Sequence, residues 1–344
     1  MINIAVFDSK SYDIESFKAL TPETIKFKFF ESKLTADNAS LIKGFDGVCV
    51  FVNDRIDREV IDALVENGVK AIFLRCAGFN NVDVSYCYGK IHCYRVPAYS
   101  PYAVAEFAFS LLLTLNRRIH KAFIRTRDYN FSLEGLTGSD LHGKTIGVVG
   151  TGKIGQVFIN IAKGFGMNVL AYDPYPNPNL DVKYVTLEEM YKESDYISLH
   201  CPLTEQNKFM INKDTIKLMK KGVNIINTSR GALINAEDLL EGIKSRQIGS
   251  AGLDVYQEET DIFFNDKSNH ILDDDILSRL LGMPNVIISS HQAFLTNEAL
   301  NNIAQTTIDN INNFFGKGEC SGNELCYHCG REQNCRKSRN KKCF

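Results

Sequence analysis

The sequence lacks an excess of charge of either sign, and it lacks long uninterrupted hydrophobic runs. Its 344 residues include 39 Lys and Arg and 41 Asp and Glu, which gives a formal net charge of −2. No global field therefore favours binding to nucleic acid or to an acidic membrane surface. The longest apolar stretch, residues 107–115, is interrupted by Ser110 and Thr114 and is too short to cross a bilayer.

The amino-terminal segment also lacks the features of a secretory signal. Residues 1–8 have the pattern of a β-strand, without a basic start or a long apolar region. We therefore expect a cytoplasmic protein that binds neither nucleic acid nor membranes. Because 44% of the residues are hydrophobic, a chain of this length can fill two separate cores, and two domains are expected.

The most informative stretch combines a strand, a glycine-rich turn, a helix and a second strand. Residues 145–149 form a short β-branched apolar run, and Gly150, Gly152 and Gly155 then give the pattern G-x-G-x-x-G. Apolar residues recur after it at helical spacing, and the second strand ends at Asp173. The complete order indicates a dinucleotide-binding unit, for which an isolated glycine pattern would be weak support.

Each position of this pattern has a chemical reason. Gly150 permits the tight turn, Gly152 lets a pyrophosphate approach the backbone, and Gly155 allows the helix to pack closely on the strand. The start of the helix offers free N–H groups to the phosphates. Asp173 can accept hydrogen bonds from the adenosine ribose hydroxyls and would repel a 2′-phosphate, so NAD is favoured over NADP. The alternative is a glycine turn in another α/β fold, with Asp173 as a helix cap.

Strands and helices alternate on both sides of this unit, which indicates two parallel α/β layers. We predict two Rossmann-like, doubly wound parallel-sheet domains with a cleft between them, one flavodoxin-like for the substrate and one for the dinucleotide. The substrate domain is predicted to comprise residues 1–100 and 297–325, and the NAD-binding domain residues 101–296. A long apolar helix over residues 101–121 is expected to cross between them.

Three polar residues, Arg230, Glu259 and His291, follow successive strands of the second domain. Because the ends of parallel strands face one crevice, we expect these side chains to converge. Arg can bind the carboxylate of a 2-oxo acid and polarise its ketone, and His can donate the proton. A carboxylate beside the imidazole orients it and favours its protonated form. Each residue alone has an ordinary structural explanation, but their joint placement beside a nicotinamide site favours catalysis.

Two segments of the first domain are candidates for substrate binding. Ala77 and Gly78 follow a strand and can offer backbone N–H groups to a carboxylate, although an ordinary glycine turn has the same pattern. Tyr99 precedes a predicted helix with Ser100 as N-cap and Pro101 as first residue. Its ring would either line the pocket or pack against neighbouring side chains.

These motifs resemble those of the D-2-hydroxyacid dehydrogenases, and within that family the fermentative bacterial D-lactate dehydrogenases, over residues 1–325. The resembling segments are residues 75–83, 96–101, 150–155, 227–231, 253–256 and 291–296. The resemblance implies NADH-dependent reduction of pyruvate to D-lactate in fermentation. The alternatives are a dehydrogenase for larger D-2-hydroxy acids, such as those related to 2-oxoisocaproate and phenylpyruvate, and an NADH-sensing co-regulator.

The resemblance also implies roles for individual residues. Arg230 would bind and polarise the substrate, Glu259 would pair with the acid/base His291, and Phe294 would keep the pocket small. The implied cofactor-binding residues are Gly150, Gly152, Lys153, Ile154, Gly155, Asp173, Cys201, Pro202, Thr228, Ser229 and Asp254. Members of the family are usually homodimers or homotetramers joined through the dinucleotide domain, and residues 125–140 are expected to form an arm against the partner subunit.

The chain continues beyond this resemblance as a cysteine-rich basic tail, residues 326–344. Cys326 and Cys329, with neighbouring cysteines, have donor chemistry for zinc or an iron–sulfur cluster, but the spacing fits no standard finger. The basic run 336–342 would suit nucleic acid or a protein partner. We favour a flexible, redox-sensitive tail over these alternatives and assign no metal site.

Overall fold

The computed structural model describes residues 1–257, 262–317 and 322–326. The predicted catalytic residue Glu259 and the tail beyond Cys326 therefore lie outside the described residues. None of the helices in the described ranges combines the length and the hydropathy of a membrane span.

The chain forms two compact units. Among the described residues, the first contains 1–100 and those from Thr296 onward, and the second contains those from Pro101 to Leu295. Each unit is built on a parallel sheet with helices between most successive strands, so the predicted class of two parallel-sheet α/β domains is confirmed. The strands pair in parallel because each connection between neighbours returns the chain to the same edge of the sheet.

The first unit has a five-stranded sheet. Its elements are β1 (Ile2–Val6), α1 (Ser11–Leu20), β2 (Ile25–Phe29), β3 (Gly47–Val50), α2 (Arg58–Glu66), β4 (Ala71–Leu74), α3 (Val84–Cys87), β5 (His92–Arg95) and, late in the chain, α11 (Asn297–Asn312). The strand order is β2-β1-β3-β4-β5, which is the flavodoxin-like order.

The core of the first unit explains why the end of the chain belongs to it. Strands β3 and β4 are buried along their whole length, as expected for strands covered by helices on both faces. Ile308 and Ile311 of α11 pack in one core cluster with Ile4 and Phe73 of the sheet. Thr296 caps α11 by accepting the Ala299 N–H at 3.2 Å.

The second unit has a seven-stranded sheet. Its elements are α4 (Pro101–Asn116), α5 (Ile119–Arg127), β6 (Thr145–Val149), α6 (Lys153–Gly164), β7 (Asn168–Tyr172), β8 (Lys183–Tyr184), α7 (Leu187–Glu193), β9 (Tyr196–Leu199), α8 (Lys213–Leu218), β10 (Val223–Asn227), α9 (Ala236–Lys244), β11 (Ile248–Leu253), α10 (Asp275–Leu281) and β12 (Val286–Ile288). The strand order is β12-β11-β10-β9-β6-β7-β8. This is the Rossmann order with one further edge strand, and the winding reverses between β6 and β9, where such folds bind ligands.

The predicted helix over residues 101–121 is wrong in its length. It ends at Asn116, and α5 starts at Ile119 after Arg118, which adopts a left-handed φ of +53°. The Asn116 side chain donates to the Ser139 carbonyl oxygen at 2.6 Å, so a residue distant in sequence stabilises the end of α4. The apolar face of α4 is buried, whereas α5 has no buried residue. The two helices therefore lie in different environments, and the chain changes direction between them.

Candidate active site

The glycine-rich turn connects β6 to α6 at the point where the sheet reverses its winding. Gly150 has a φ of +94°, and a Cβ there would lie 2.6 Å from the His200 carbonyl oxygen. A Cβ on Gly155 would overlap the Gly150 carbonyl oxygen, so only glycine permits this packing. In contrast, no atom lies within 4 Å of a Cβ built on Gly152, the N-cap of α6. This open space beside free N–H groups fits a pyrophosphate. The first turn of the helix contains two further predicted cofactor residues, Lys153 and Ile154.

Asp173 follows β7 and is held against the glycine-rich turn. Its Oδ2 accepts the backbone N–H of Thr151 at 2.7 Å and the Thr151 hydroxyl at 3.0 Å. Its Oδ1 accepts the backbone N–H of Tyr175 at 2.9 Å. These donors belong to the turn and to the loop after β7, so the alternative of a helix cap is wrong. The carboxylate is instead fixed at the position where the adenosine ribose of NAD is expected.

Four further predicted cofactor residues follow the neighbouring strands β9 and β10. The Ser229 hydroxyl donates to the Cys201 carbonyl oxygen, which ties the two strand ends together. Burial raises the pKa of the Cys201 thiol to about 11, so it stays neutral at physiological pH. The buried Thr228 hydroxyl has no hydrogen-bond partner among the described residues. Such a group is unfavourable unless a ligand or water satisfies it, which fits a site built for a bound cofactor. Pro202, after Cys201, is exposed.

Arg230 and His291 come after β10 and β12, and Asp254 follows the strand between them, β11. The Asp254 N–H donates to the Asn227 carbonyl oxygen at 2.9 Å, and the His291 N–H donates to the Asp254 carbonyl oxygen at 2.8 Å. The backbones of these strand ends therefore lie side by side at one edge of the sheet. Glu259, the third residue of the predicted catalytic set, lies outside the described residues.

The turn that carries Arg230 is fixed on both sides. The Asn227 side chain donates to the Arg230 carbonyl oxygen at 2.9 Å and accepts the Ser229 N–H at 3.0 Å. The Arg230 guanidinium donates through Nη1 to the Ser229 carbonyl oxygen at 2.7 Å. A Cβ on Gly231 would overlap the Tyr256 carbonyl oxygen, so this turn packs directly on the backbone that follows β11. Side-chain and backbone contacts together fix the position of the Arg230 backbone.

His291 has a left-handed backbone, with a φ of +55°, and Asp254 stabilises the loop around it. Asp254 is fully buried, and its carboxylate accepts the Ser289 hydroxyl at 2.6 Å and the N–H groups of Gln292 at 2.9 Å and Ala293 at 2.8 Å. Burial raises the pKa of Asp254, and these hydrogen bonds oppose the rise. The Asp254 carboxylate therefore forms its hydrogen bonds with the loop that carries His291.

The predicted substrate-binding backbone, Ala77 and Gly78, follows β4 in the first unit. The Ala77 carbonyl oxygen accepts from Nη1 of Arg95 at 2.9 Å, and the Gly78 carbonyl oxygen accepts from the Cys76 thiol at 3.3 Å. These contacts fix the loop from within its own unit. The other two predicted substrate residues are Tyr99, half-buried in the first unit, and Phe294, buried in the second.

Comparisons with known proteins show which family the chain belongs to. Residues 109–293 match the family model described as "D-isomer specific 2-hydroxyacid dehydrogenase, NAD binding domain". Over 329 residues the chain is 50% identical to the D-lactate dehydrogenase of Escherichia coli, covering 94% of this chain and 100% of that protein. The chain belongs to the D-isomer specific 2-hydroxyacid dehydrogenase family. The resemblance stated from the motifs is confirmed, and the predicted cofactor, NAD, is that of the family.

Two solved structures are similar over nearly the whole dehydrogenase. The pyruvate reductase of Chlamydomonas reinhardtii has a TM-score of 0.88 and 42% identity, covering 91% of this chain and 96% of its own. A D-2-hydroxyisocaproate dehydrogenase has a TM-score of 0.85 and 34% identity, covering 94% of this chain and 99% of its own. This chain is therefore an NAD-dependent dehydrogenase of D-2-hydroxy acids.

A buried ionic cluster fills the carboxyl end of the first sheet of this dehydrogenase. Arg75 is 1% exposed, and its guanidinium donates to the Asp13 carboxylate at 3.3 and 3.4 Å and to the carbonyl oxygens of Phe7 and Asp8 at 3.0 and 2.6 Å. The neighbouring Asp54 is fully buried and accepts two backbone N–H groups, and burial raises its pKa to about 6. Because the guanidinium is fully engaged in this way, Arg75 is a structural residue.

Sequence reasoning missed several residues that shape the site. Asn227, Gly231 and Ser289 act on the predicted residues through hydrogen bonds or close packing. Gly231 was detectable, because a glycine directly after a strand-end arginine indicates close approach of another backbone. Ser289 carries no local signal, since its role depends on Asp254, 35 positions earlier. Within the described ranges no group of three or more His, Cys, Asp or Glu side chains is placed to hold a metal ion.

Proposed function

We propose that this dehydrogenase reduces pyruvate to D-lactate with NADH and so regenerates NAD⁺ in fermentation. The observation that carries the proposal is the pair of strand ends bearing Arg230 and His291, joined through Asp254, in a chain 50% identical to a D-lactate dehydrogenase. An arginine and a histidine in one crevice supply the cation and the proton that reduction of a 2-oxo acid requires.

In the proposed mechanism NADH, when bound, supplies the hydride to the ketone carbon. Arg230 binds the carboxylate of pyruvate and polarises the ketone, which stabilises the charge that develops on its oxygen. His291 donates the proton to that oxygen and accepts it back in the reverse reaction. Glu259 is proposed to pair with His291 and to orient its imidazole. Asp254 and Ser289 hold the loop from which the imidazole extends.

The roles proposed for the remaining substrate-binding residues rest on the family resemblance. Ala77 and Gly78 offer backbone N–H groups to the carboxylate, and their loop is fixed by Arg95. Tyr99 and Phe294 are each proposed to contact the substrate, and their large rings favour a small acid. Preorganised donors of this kind raise the rate, because no energy is spent on ordering them during the reaction.

A second candidate is a dehydrogenase for larger acids, and the similarity to a D-2-hydroxyisocaproate dehydrogenase favours it. The discriminating experiment is NADH oxidation by the purified full-length chain with pyruvate, 2-oxoisocaproate and phenylpyruvate, followed by a chiral assay of the product. The highest kcat/KM with pyruvate and a D-product are expected. A preference for a bulky acid would keep the chemistry and overturn the assigned substrate.

The role of His291 is tested by His291→Gln, which keeps a polar side chain without an acid in the working pH range. A general acid contributes on the order of 10²–10⁴ in rate, so kcat should fall by that factor. His270→Gln, at an exposed position, is the control and should leave kcat unchanged. Near-normal turnover of His291→Gln would refute the mechanism.

We also propose that the chain forms a homodimer or homotetramer through the surface of α5 and the segment that follows. Large apolar side chains are exposed there: Phe123 by 58%, Phe131 by 71% and Leu133 by 81%. An exposed apolar surface of this kind is typical of a protein interface. A partner subunit would remove it from water.

A further inference from the structure

A relay of two hydroxyls lies behind Asp173 and has no part in the proposed reaction. The Tyr184 hydroxyl donates to Oγ1 of Thr151 at 3.0 Å, and the Thr151 hydroxyl donates to Oδ2 of Asp173 at 3.0 Å. The Tyr184 oxygen accepts the backbone N–H of Asn177 at 3.0 Å. Since each hydroxyl has one proton, every proton in the relay is directed toward the carboxylate.

The relay joins three segments that are separate in sequence. Thr151 lies between the glycines of the turn and is 4% exposed. Tyr184 ends β8, a two-residue edge strand that pairs with β7 at Ala171. Asn177 lies in the loop between β7 and β8. The short strand β8 therefore supports the residue that follows the neighbouring strand, Asp173.

We propose that Thr151 and Tyr184 are positioning residues that set the preference for NAD over NADP. With Oδ2 fixed by two donors of Thr151 and Oδ1 by the N–H of Tyr175, the Asp173 side chain cannot turn away without breaking three hydrogen bonds. The inference rests on the use of NAD by this chain and on the placement of Asp173 at the ribose.

The fixed carboxylate acts on the two cofactors in opposite directions. A ribose hydroxyl meets an acceptor that is already ordered, so little side-chain entropy is lost when NAD binds. A 2′-phosphate meets a negative charge that cannot withdraw, so NADP is excluded by repulsion as well as by the missing hydrogen bond. A mobile aspartate would bind the ribose hydroxyl less tightly and would repel the 2′-phosphate less strongly.

The experiment compares Thr151→Val, Thr151→Ser and Tyr184→Phe with the unaltered chain. The Kd values of NADH and NADPH are measured without substrate from the fluorescence of the bound reduced nicotinamide. Thr151→Val should weaken NADH binding about threefold to tenfold, the value of one hydrogen bond, and NADPH binding much less. The preference for NADH should therefore fall by about that factor.

The other two variants sharpen the test. Tyr184→Phe should shift the preference in the same direction by a smaller factor, and Thr151→Ser, which keeps the hydroxyl, should restore it. Tyr196→Phe is the control. Tyr196 is the first residue of β9, and its hydroxyl donates to the Asn116 side chain at 2.9 Å, away from Asp173. This variant should lower the Tm and leave the ratio of the two Kd values unchanged.

The proposal is overturned if Thr151→Val and Tyr184→Phe lower the Tm as Tyr196→Phe does and leave the Kd ratio at its original value. The relay would then serve stability alone. Because binding is measured without turnover, a failure to reduce pyruvate would overturn the proposed reaction and would not affect this result.

Discussion

Replacing Asp254 with Asn tests how far the placement of His291 depends on one buried carboxylate. Oδ1 of Asp254 accepts from the Ser289 hydroxyl and the Gln292 N–H, and Oδ2 accepts from the Ala293 N–H. An amide keeps one acceptor oxygen and introduces an NH₂ group in place of the other. In either orientation at least one N–H or O–H donor of the loop then faces another donor.

The magnitude follows from this loss and from a partial compensation. A hydrogen bond to a charged group contributes about 1.5–3 kcal/mol, and a buried donor left unpaired adds a further penalty. The amide also removes the unfavourable burial of a charge, which raises the pKa of Asp254 in the native protein. We expect a net loss of about 1–2 kcal/mol in unfolding free energy. Because the loop carries His291, we expect kcat to fall about 10- to 100-fold, equivalent to roughly 1.4–2.7 kcal/mol.

The assay combines urea unfolding with kcat and KM for pyruvate reduction. Asp195→Asn is the matched control, since Asp195 accepts the Thr145 N–H at 2.9 Å and pairs with Lys220 at 3.1 Å before β9, at the opposite edge of the same sheet. It should lower stability and leave kcat unchanged. If Asp254→Asn loses stability but keeps the original kcat, the carboxylate does not position His291 and the reasoning is refuted.

Three further predictions concern other parts of the second unit. Gly231→Ala should lower kcat/KM for pyruvate at least tenfold in a folded protein, because its Cβ would overlap the Tyr256 carbonyl oxygen; an unchanged value would show that the turn adapts freely. Burial lowers the pKa of His200 from about 6.5 to about 3. Below pH 6.5 the unfolded chain binds a proton at this residue and the folded protein does not, so the free energy of unfolding falls as the pH drops from 6.5 toward 3. Below pH 6, the free energy of unfolding measured in urea should fall more steeply for the unaltered chain than for His200→Asn, by up to about 1.4 kcal/mol per pH unit. Parallel plots of unfolding free energy against pH would contradict this. Leu133→Asp should reduce the mass measured by light scattering, whereas Ile271→Asp, at a position 91% exposed, should not; an unchanged mass in both would remove this surface from the interface.

Much of the fold and of the cofactor site could be predicted because the signals are local. The glycine-rich turn, the helix after it and the acid at the end of the next strand lie within about 30 residues, and Gly155 packs against the Gly150 carbonyl oxygen inside that segment. Alternating strands and helices determine a parallel α/β fold for the same reason, since each connection covers only neighbouring strands. The family motifs are likewise short segments at strand ends.

Other features were decided by tertiary structure, because they depend on partners far apart in the chain. Arg75 meets Asp13 across 62 positions, and Asp254 meets Ala293 across 39. The break before α5 and the left-handed backbone of His291 likewise depend on contacts that exist only once the sheets have formed. The sequence alone thus determined the family, the parallel α/β architecture and the dinucleotide pattern. The tertiary structure decided which donors satisfy each buried charge, because hydrogen bonding in the interior is set by proximity in space.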